Sequence, residues 1–175
     1  MKDMMLLVEP LIPALRRYAR SLLRDRAAAD DLLQDCLERA ITRWHQRRAD
    51  GDARTWLFTI LHNLAISRLR QLARRGAHVA LDDADENVTA RPPTQEDGLH
   101  HREVLRALET LPEDQRAVLL LVSVEDLSYA EAARVLDIPV GTVMSRLSRA
   151  REKLSRSLAP DASVPAERPI LRRVK

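Results

Sequence analysis

Leu127-Ser-Tyr-Ala-Glu-Ala-Ala-Arg-Val-Leu-Asp-Ile-Pro-Val-Gly-Thr-Val-Met-Ser-Arg-Leu-Ser-Arg-Ala-Arg-Glu-Lys-Leu154 reads as two helices joined by a tight turn. Ser128 followed by Glu131 is a capping box, which marks a helix start. The first helix is expected to run to about Leu136. Asp137 tolerates a left-handed turn conformation, and Pro139 suits the first turn of a second helix. Val143, Leu147, Ala150 and Leu154 recur at helical spacing and form one apolar stripe. The opposite face carries Ser145, Ser148 and Arg149, flanked by Thr142 and Arg146. Such a pair has the helix-turn-helix arrangement, whose second helix can enter a DNA major groove. Pattern alone leaves a second reading open: two packed helices with a solvated basic face.

Composition narrows the fold. The 175 residues are 45% hydrophobic and 31% charged, which suits a folded soluble chain of one or two small domains. Aromatic residues make up only 3%, so the core must be built from Leu, Val, Ile and Ala. Few β-branched runs favour an all-helical class. The net charge of +3, carried mostly by Arg, is compatible with a nucleic-acid partner but too small to establish one. Cys36 is the only cysteine, so no internal disulfide forms, as expected in a reducing cytosol. No Cys/His cluster has zinc-site spacing, and no metal or cofactor is expected. His100-His101 reads as solvated. Neither a signal peptide nor a membrane span is expected, so the chain reads as cytoplasmic. No glycine-rich phosphate loop, nucleophile elbow or nucleophile–base–orienter set is visible, so an enzyme with a small-molecule substrate is disfavoured.

Upstream, Leu6 to about Leu23 reads as helical, with Pro10 and Pro13 interrupting or starting it and Leu15, Tyr18, Ala19 and Leu22 as its stripe. A second helix is expected from about Ala27 to Trp44, with Leu33, Leu37, Ala40, Ile41 and Trp44 buried. Its other face shows Asp31, Gln34, Asp35 and Glu38: a solvated acidic face, or a docking surface for a basic partner. After the polar loop from His45 to Asp52, a long helix runs from Ala53 to about Arg75. Its first half is apolar nearly all round, and Arg68, Arg70, Arg74 and Arg75 crowd its second half, a geometry suited to phosphate contacts. From Gly76 to Gly98 periodicity disappears, and Asp82, Asp83, Asp85, Glu86 and Pro92-Pro93 read as a flexible acidic linker. A helix around Leu99–Glu109 follows, then one opened by Leu111-Pro112-Glu113 that buries Val118, Leu119, Leu121 and Val122. Residues 159–175 read as a disordered basic tail. The expected division is therefore 1–75, linker 76–98, 99–158 and tail 159–175.

Four blocks now stand in order: Asp31-Leu-Leu-Gln-Asp35, Trp56-Leu-Phe-Thr-Ile-Leu-His-Asn63, Leu111-Pro-Glu-Asp-Gln-Arg116 and Pro139-Val-Gly-Thr-Val-Met-Ser-Arg146. Together, over about residues 10–155, they resemble bacterial extracytoplasmic-function (ECF) sigma factors, the group-four branch of the primary-sigma superfamily. The resemblance implies an all-α chain of two small helical domains, sigma region 2 and sigma region 4, joined by a flexible linker. It implies binding to core RNA polymerase and promoter DNA, restraint by an anti-sigma factor, and service in a stress or envelope response. Asp31, Gln34 and Asp35 match the motif that docks on polymerase, with Asp35 where Glu is commoner. Arg47 and Asn63 match the part that captures an unstacked base of the minus-ten element, although many relatives carry an aromatic residue where Arg47 stands. Ser67, Arg70, Gln71 and Arg74 would lie along the adjoining duplex. Thr142, Ser145, Arg146, Ser148 and Arg149 match the face that reads the minus-thirty-five element, with Met144 where a basic residue is common. The alternatives are a helix-turn-helix regulator that uses only the C-terminal module, and a sigma mimic that binds an anti-sigma protein without driving transcription.

Overall fold

Prolines and capping residues set the helix boundaries in the computed structural model, which describes residues 2–23, 25–47, 52–74 and 103–158. Helix α1 (Lys2–Val8) passes through a 3-10 turn (Glu9–Leu11) into α2 (Ile12–Leu23). Pro10 lies in that turn and Pro13 in the first turn of α2, where a missing N–H costs no intrahelical bond. Asp25 caps α3 (Arg26–Arg43) by accepting from the Ala28 amide at 3.1 Å. A 3-10 turn (Trp44–Gln46) follows. Asp52 then caps α4 (Ala53–Arg74), accepting from the Thr55 amide at 3.0 Å and its hydroxyl at 2.8 Å. Partial burial opposes ionisation of Asp52, but these bonds outweigh it and hold the carboxyl below its ordinary range.

A helical segment α5 (103–109) leads to α6 (Glu113–Ser123), then α7 (Tyr129–Leu136) and α8 (Val140–Leu158). Among the described residues there is no strand. The expected linker, the His100-His101 pair, Arg75 and the tail lie outside the described residues.

Helix α4 is the centre of the N-terminal half, with α1, α2 and α3 packed around it. Phe58 is fully buried there, edge-on to Tyr18 with centroids 5.5 Å apart. The Tyr18 hydroxyl lies 3.0 Å from His62 Nδ1. Burial pushes the His62 pKa down to about 4, so the ring is neutral near pH 7. The apolar core does not stop at residue 74. It continues into Leu111, the α6 run from Ala117 to Leu121, and the seam of α7 and α8. Helix α2 packs on α6 and α4 packs on α7.

The α2 stripe is buried where the sequence placed it. That of α3 is only in part. Its buried residues are Ala29, Leu32, Leu33, Cys36 and Ala40, whereas Leu37 and Trp44 are half-buried and Ile41 is 54% exposed. The buried side of α3 mixes Leu32 and Leu33 with the small Ala29, Cys36 and Ala40. Trp56, Ile60 and Ile66 on α4 are also only half-buried, so its first half is not covered all round. In α6 the whole run Arg116–Leu121 is buried and Val122 only partly, because that helix is packed between α2 and α8.

The Ser128 capping box is complete: Ser128 Oγ accepts from the Glu131 amide at 3.2 Å, and Glu131 accepts from the Ser128 amide at 2.7 Å. Ser128→Ala should lower stability by about 1 kcal/mol in urea unfolding. An unchanged midpoint would mean that packing alone holds α7.

Candidate nucleic-acid interface

Asp137 (φ 52°, ψ 49°) ends α7 in the left-handed region. The Ile138 amide closes the turn onto the Ala133 carbonyl at 3.1 Å. The Pro139 carbonyl then accepts from Thr142 and Val143 at 2.9 and 3.2 Å, which starts α8 in a fixed direction. Val143, Leu147 and Ala150 are buried beneath α8, and Leu154 is half-buried. Ser145, Ser148 and Arg149 stand exposed on the outer face, with Thr142 half-buried beside them. A side chain added at Gly141 would meet nothing within 4 Å, so the start of α8 is open to a ligand's approach. Met144 is 53% exposed on the same surface.

Three cations of α8 reach residues outside it. Arg146 Nε pairs with Asp114 of α6 at 3.1 Å. Lys153 donates to the Thr110 carbonyl at 2.8 Å, and Arg151 reaches the Ser123 hydroxyl at 3.5 Å. These three tie α8 to the helices beneath it. Arg149 projects from the exposed face. Sequence reading set Arg146 at the flank of the face that carries Arg149, and there the fold has it half-buried with one nitrogen committed to Asp114. Asp114 stood in the sequence only as part of the Leu111–Arg116 block, and nothing in its spacing links it to α8.

A second exposed surface runs along α4. Asn63, Ser67, Arg70 and Arg74 recur at i, i+4, i+7 and i+11, so they share one stripe, with Gln71 beside it. All five are exposed. The Ser67 hydroxyl donates to the Asn63 carbonyl at 2.8 Å, which leaves the Asn63 amide group outside that bond. Trp56 begins the same stripe two turns earlier. Its ring meets Trp44 edge-on at 5.8 Å, and the Arg47 guanidinium lies 4.8 Å over Trp44. Arg47 is thus attached to the start of the stripe by a cation–π contact. Residues 48–51 of the expected loop lie outside the described residues. Sequence reading missed Trp44 as a support for Arg47.

The acidic side chains of α3 are exposed to solvent. Asp31, Gln34 and Asp35 are all exposed, opposite buried Leu32, Leu33 and Cys36. Gln34 donates to Glu38 at 3.1 Å, and Asp31 lies 3.7 Å from Arg68, a loose contact in water. Neighbouring Asp30 is occupied by Arg16 and Arg20 at 3.4 and 3.1 Å.

Among the described residues, no helix is long and apolar enough to cross a membrane. Family models match in two places: "Sigma-70, region 4" over residues 101–154 and "Sigma2 domain of PhyR" over residues 8–62. The chain is 38% identical over 155 residues to the ECF RNA polymerase sigma factor EcfG of Rhodopseudomonas palustris, covering 87% of this chain and 83% of that one. The sigma factor RpoE of Bartonella quintana, solved in complex with the anti-sigma factor NepR, matches with a TM-score of 0.78 and 32% identity. That match covers 92% of this chain and 99% of the other. CnrH, solved with the cytosolic domain of CnrY, matches with a TM-score of 0.68 and 29% identity over 92% of this chain and 90% of its own.

Proposed function

The chain belongs to the extracytoplasmic-function family of RNA polymerase sigma factors, and we propose how its three exposed surfaces divide that family's work. Residues 1–75 form the module that docks on core polymerase and opens the minus-ten element. Residues 99–158 form the module that anchors the minus-thirty-five element. The acidic α3 face, through Asp31, Gln34 and Asp35, meets a basic surface of core polymerase. The α4 stripe of Asn63, Ser67, Arg70, Gln71 and Arg74 follows the DNA backbone, with Arg47 at its head beside the base to be displaced. Thr142, Ser145, Ser148 and Arg149 enter the upstream major groove, and Arg146 orients the helix that carries them. The chain performs no bond-making step of its own. It acts in the cytoplasm, selecting promoters for a stress or envelope response, and an anti-sigma factor restrains it.

The observation that carries this reading is the coexistence of an exposed acidic helix face with two separate DNA-suited helices. A regulator using α7 and α8 alone has no need of the α3 face or the α4 stripe. The test is run-off transcription with purified core polymerase on a genomic promoter library. Specific transcripts are expected. Their absence, together with no binding to core, would reject the assignment. Asp31→Arg places a cation against a basic partner and should weaken core binding about tenfold or more, roughly 1.4 kcal/mol. Asp31 is 69% exposed in its side chain, so folding should be unaffected. Unchanged affinity would move the docking site off α3.

A further inference from the structure

Glu125 is a carboxylate 1% exposed, in the turn between α6 and α7. Its partner is not in its own half of the chain. Arg17 of α2, 108 residues away, donates through Nε to Oε1 at 2.8 Å and through Nη2 to Oε2 at 2.7 Å. Arg54, in the first turn of α4, donates to the Glu125 backbone carbonyl. In return, Arg116 of α6 donates to the Leu22 carbonyl of α2 at 3.3 Å. The turn is fixed independently of these contacts. The Val124 and Glu125 amides both reach the Leu120 carbonyl, Leu127 reaches Leu121, and Asp126 takes φ 51°. Glu125 is therefore presented rigidly, and the N-terminal half receives it with a two-pronged guanidinium.

A carboxylate taken out of water costs several kcal/mol unless it is paired, and a bidentate Arg is its strongest neutral-pH partner. A buried pair adds little over a well-packed apolar contact, but removing one of its partners is strongly unfavourable. Here the arrangement it holds is α2 and α4 against α6 and α7. It has a functional cost under the reading proposed above, on which this inference rests. Two DNA elements named for positions ten and thirty-five lie about 25 base pairs apart, roughly 85 Å at 3.4 Å per pair. In this fold α4 touches α7, and α7 touches α8. The two reading helices are thus separated by only a few helix diameters of about 10 Å each. One closed molecule cannot occupy both elements. The 28 residues 75–102 have a contour of roughly 90 Å when extended, enough to let the halves part.

We infer that Arg17 and Glu125 form an intramolecular latch, which keeps the free chain closed and must be released before it can hold both promoter elements. The partner that this turn fits is the chain's own N-terminal module. An anti-sigma factor then reinforces a closed form that already exists.

The test uses the full chain with one dye on each half, attached at Arg39→Cys on α3 and Ser155→Cys on α8, both exposed positions. Single-molecule energy transfer then reports the separation of the halves. With the latch intact, a high-transfer population should dominate. Arg17→Ala leaves the Glu125 carboxylate buried and without its bidentate partner, a state that opening relieves, so the low-transfer fraction should rise about tenfold. Removing both charges in Arg17→Ala/Glu125→Ala takes away the buried charge but also the latch, so the low-transfer fraction should stay above that of the parent, though below that of Arg17→Ala. Arg17→Lys keeps a cation beside the carboxylate and should stay mostly closed, which separates release from loss of folding. Two results would overturn the latch: Arg17→Ala as closed as the parent, or the double variant as closed as the parent. Run-off transcription on the same proteins keeps the two ideas apart. Opening without any transcript from any variant would reject the promoter reading and leave the latch standing. Transcription with no change in energy transfer would do the reverse.

Discussion

Phe58→Ala should destabilise the chain by about 3–5 kcal/mol, the usual cost of removing a fully buried aromatic ring. Phe58 is inaccessible to solvent in the middle of α4 and makes the edge-on contact with Tyr18. Neither α2 nor α4 can shift to fill the space, because each is also packed against the C-terminal helices. Domains of this size are stable by only about 5–15 kcal/mol, so the loss is a large share of the total. Urea unfolding followed by circular dichroism measures it. A loss under 1 kcal/mol would mean that α4 is not the centre of the core. The consequence for function is direct, since α4 also carries Asn63, Ser67, Arg70 and Arg74 on its outer face.

Arg149→Ala should cost about 1–3 kcal/mol on the preferred upstream element and much less on unrelated duplex, if its guanidinium meets a base edge in two places. Arg146→Ala should behave differently. Its partner Asp114 is 46% exposed and Arg146 itself 30%, so the pair contributes only about 0.2–1 kcal/mol to stability. Its loss should loosen α8 and weaken binding to all sequences alike. Fluorescence anisotropy with matched and mismatched duplexes separates the two patterns. Equal loss on every sequence for Arg149→Ala would reject base reading at that position. A loss confined to one base pair for Arg146→Ala would return Arg146 to the reading face.

The sequence was most informative where local chemistry decides local structure. Ser128 with Glu131, Asp137 in the left-handed region and the Val143–Leu147–Ala150 seam are all short-range features, and each stands in the fold as read. The α3 stripe held at Leu33 and Ala40 but was drawn too far round at Leu37, Ile41 and Trp44, where Ala29, Leu32 and Cys36 complete the buried side instead. Contacts between distant residues were not legible at all. Arg17 and Glu125 carry no motif, and no periodicity relates positions 108 apart. The same holds for Asp114 beneath Arg146. Roles for individual site residues came from resemblance to a family. The fold adds that Asp31, Gln34 and Asp35 share one exposed face, and that Arg146 and Arg149 do not stand in equivalent places.

Cys36 gives the chain an unplanned experimental advantage. The thiol is fully enclosed, its Sγ sits 3.7 Å from the Leu57 carbonyl, and burial pushes its pKa up to about 12. Almost no thiolate forms at neutral pH, and no reagent reaches it without unfolding. Thiol-directed oxidants therefore have no handle on the cysteine of the folded chain. The same enclosure means that maleimide dyes added to surface cysteines will leave the native one untouched. Its rate of labelling becomes a clock for global unfolding, readable in the presence of polymerase, DNA or any other partner.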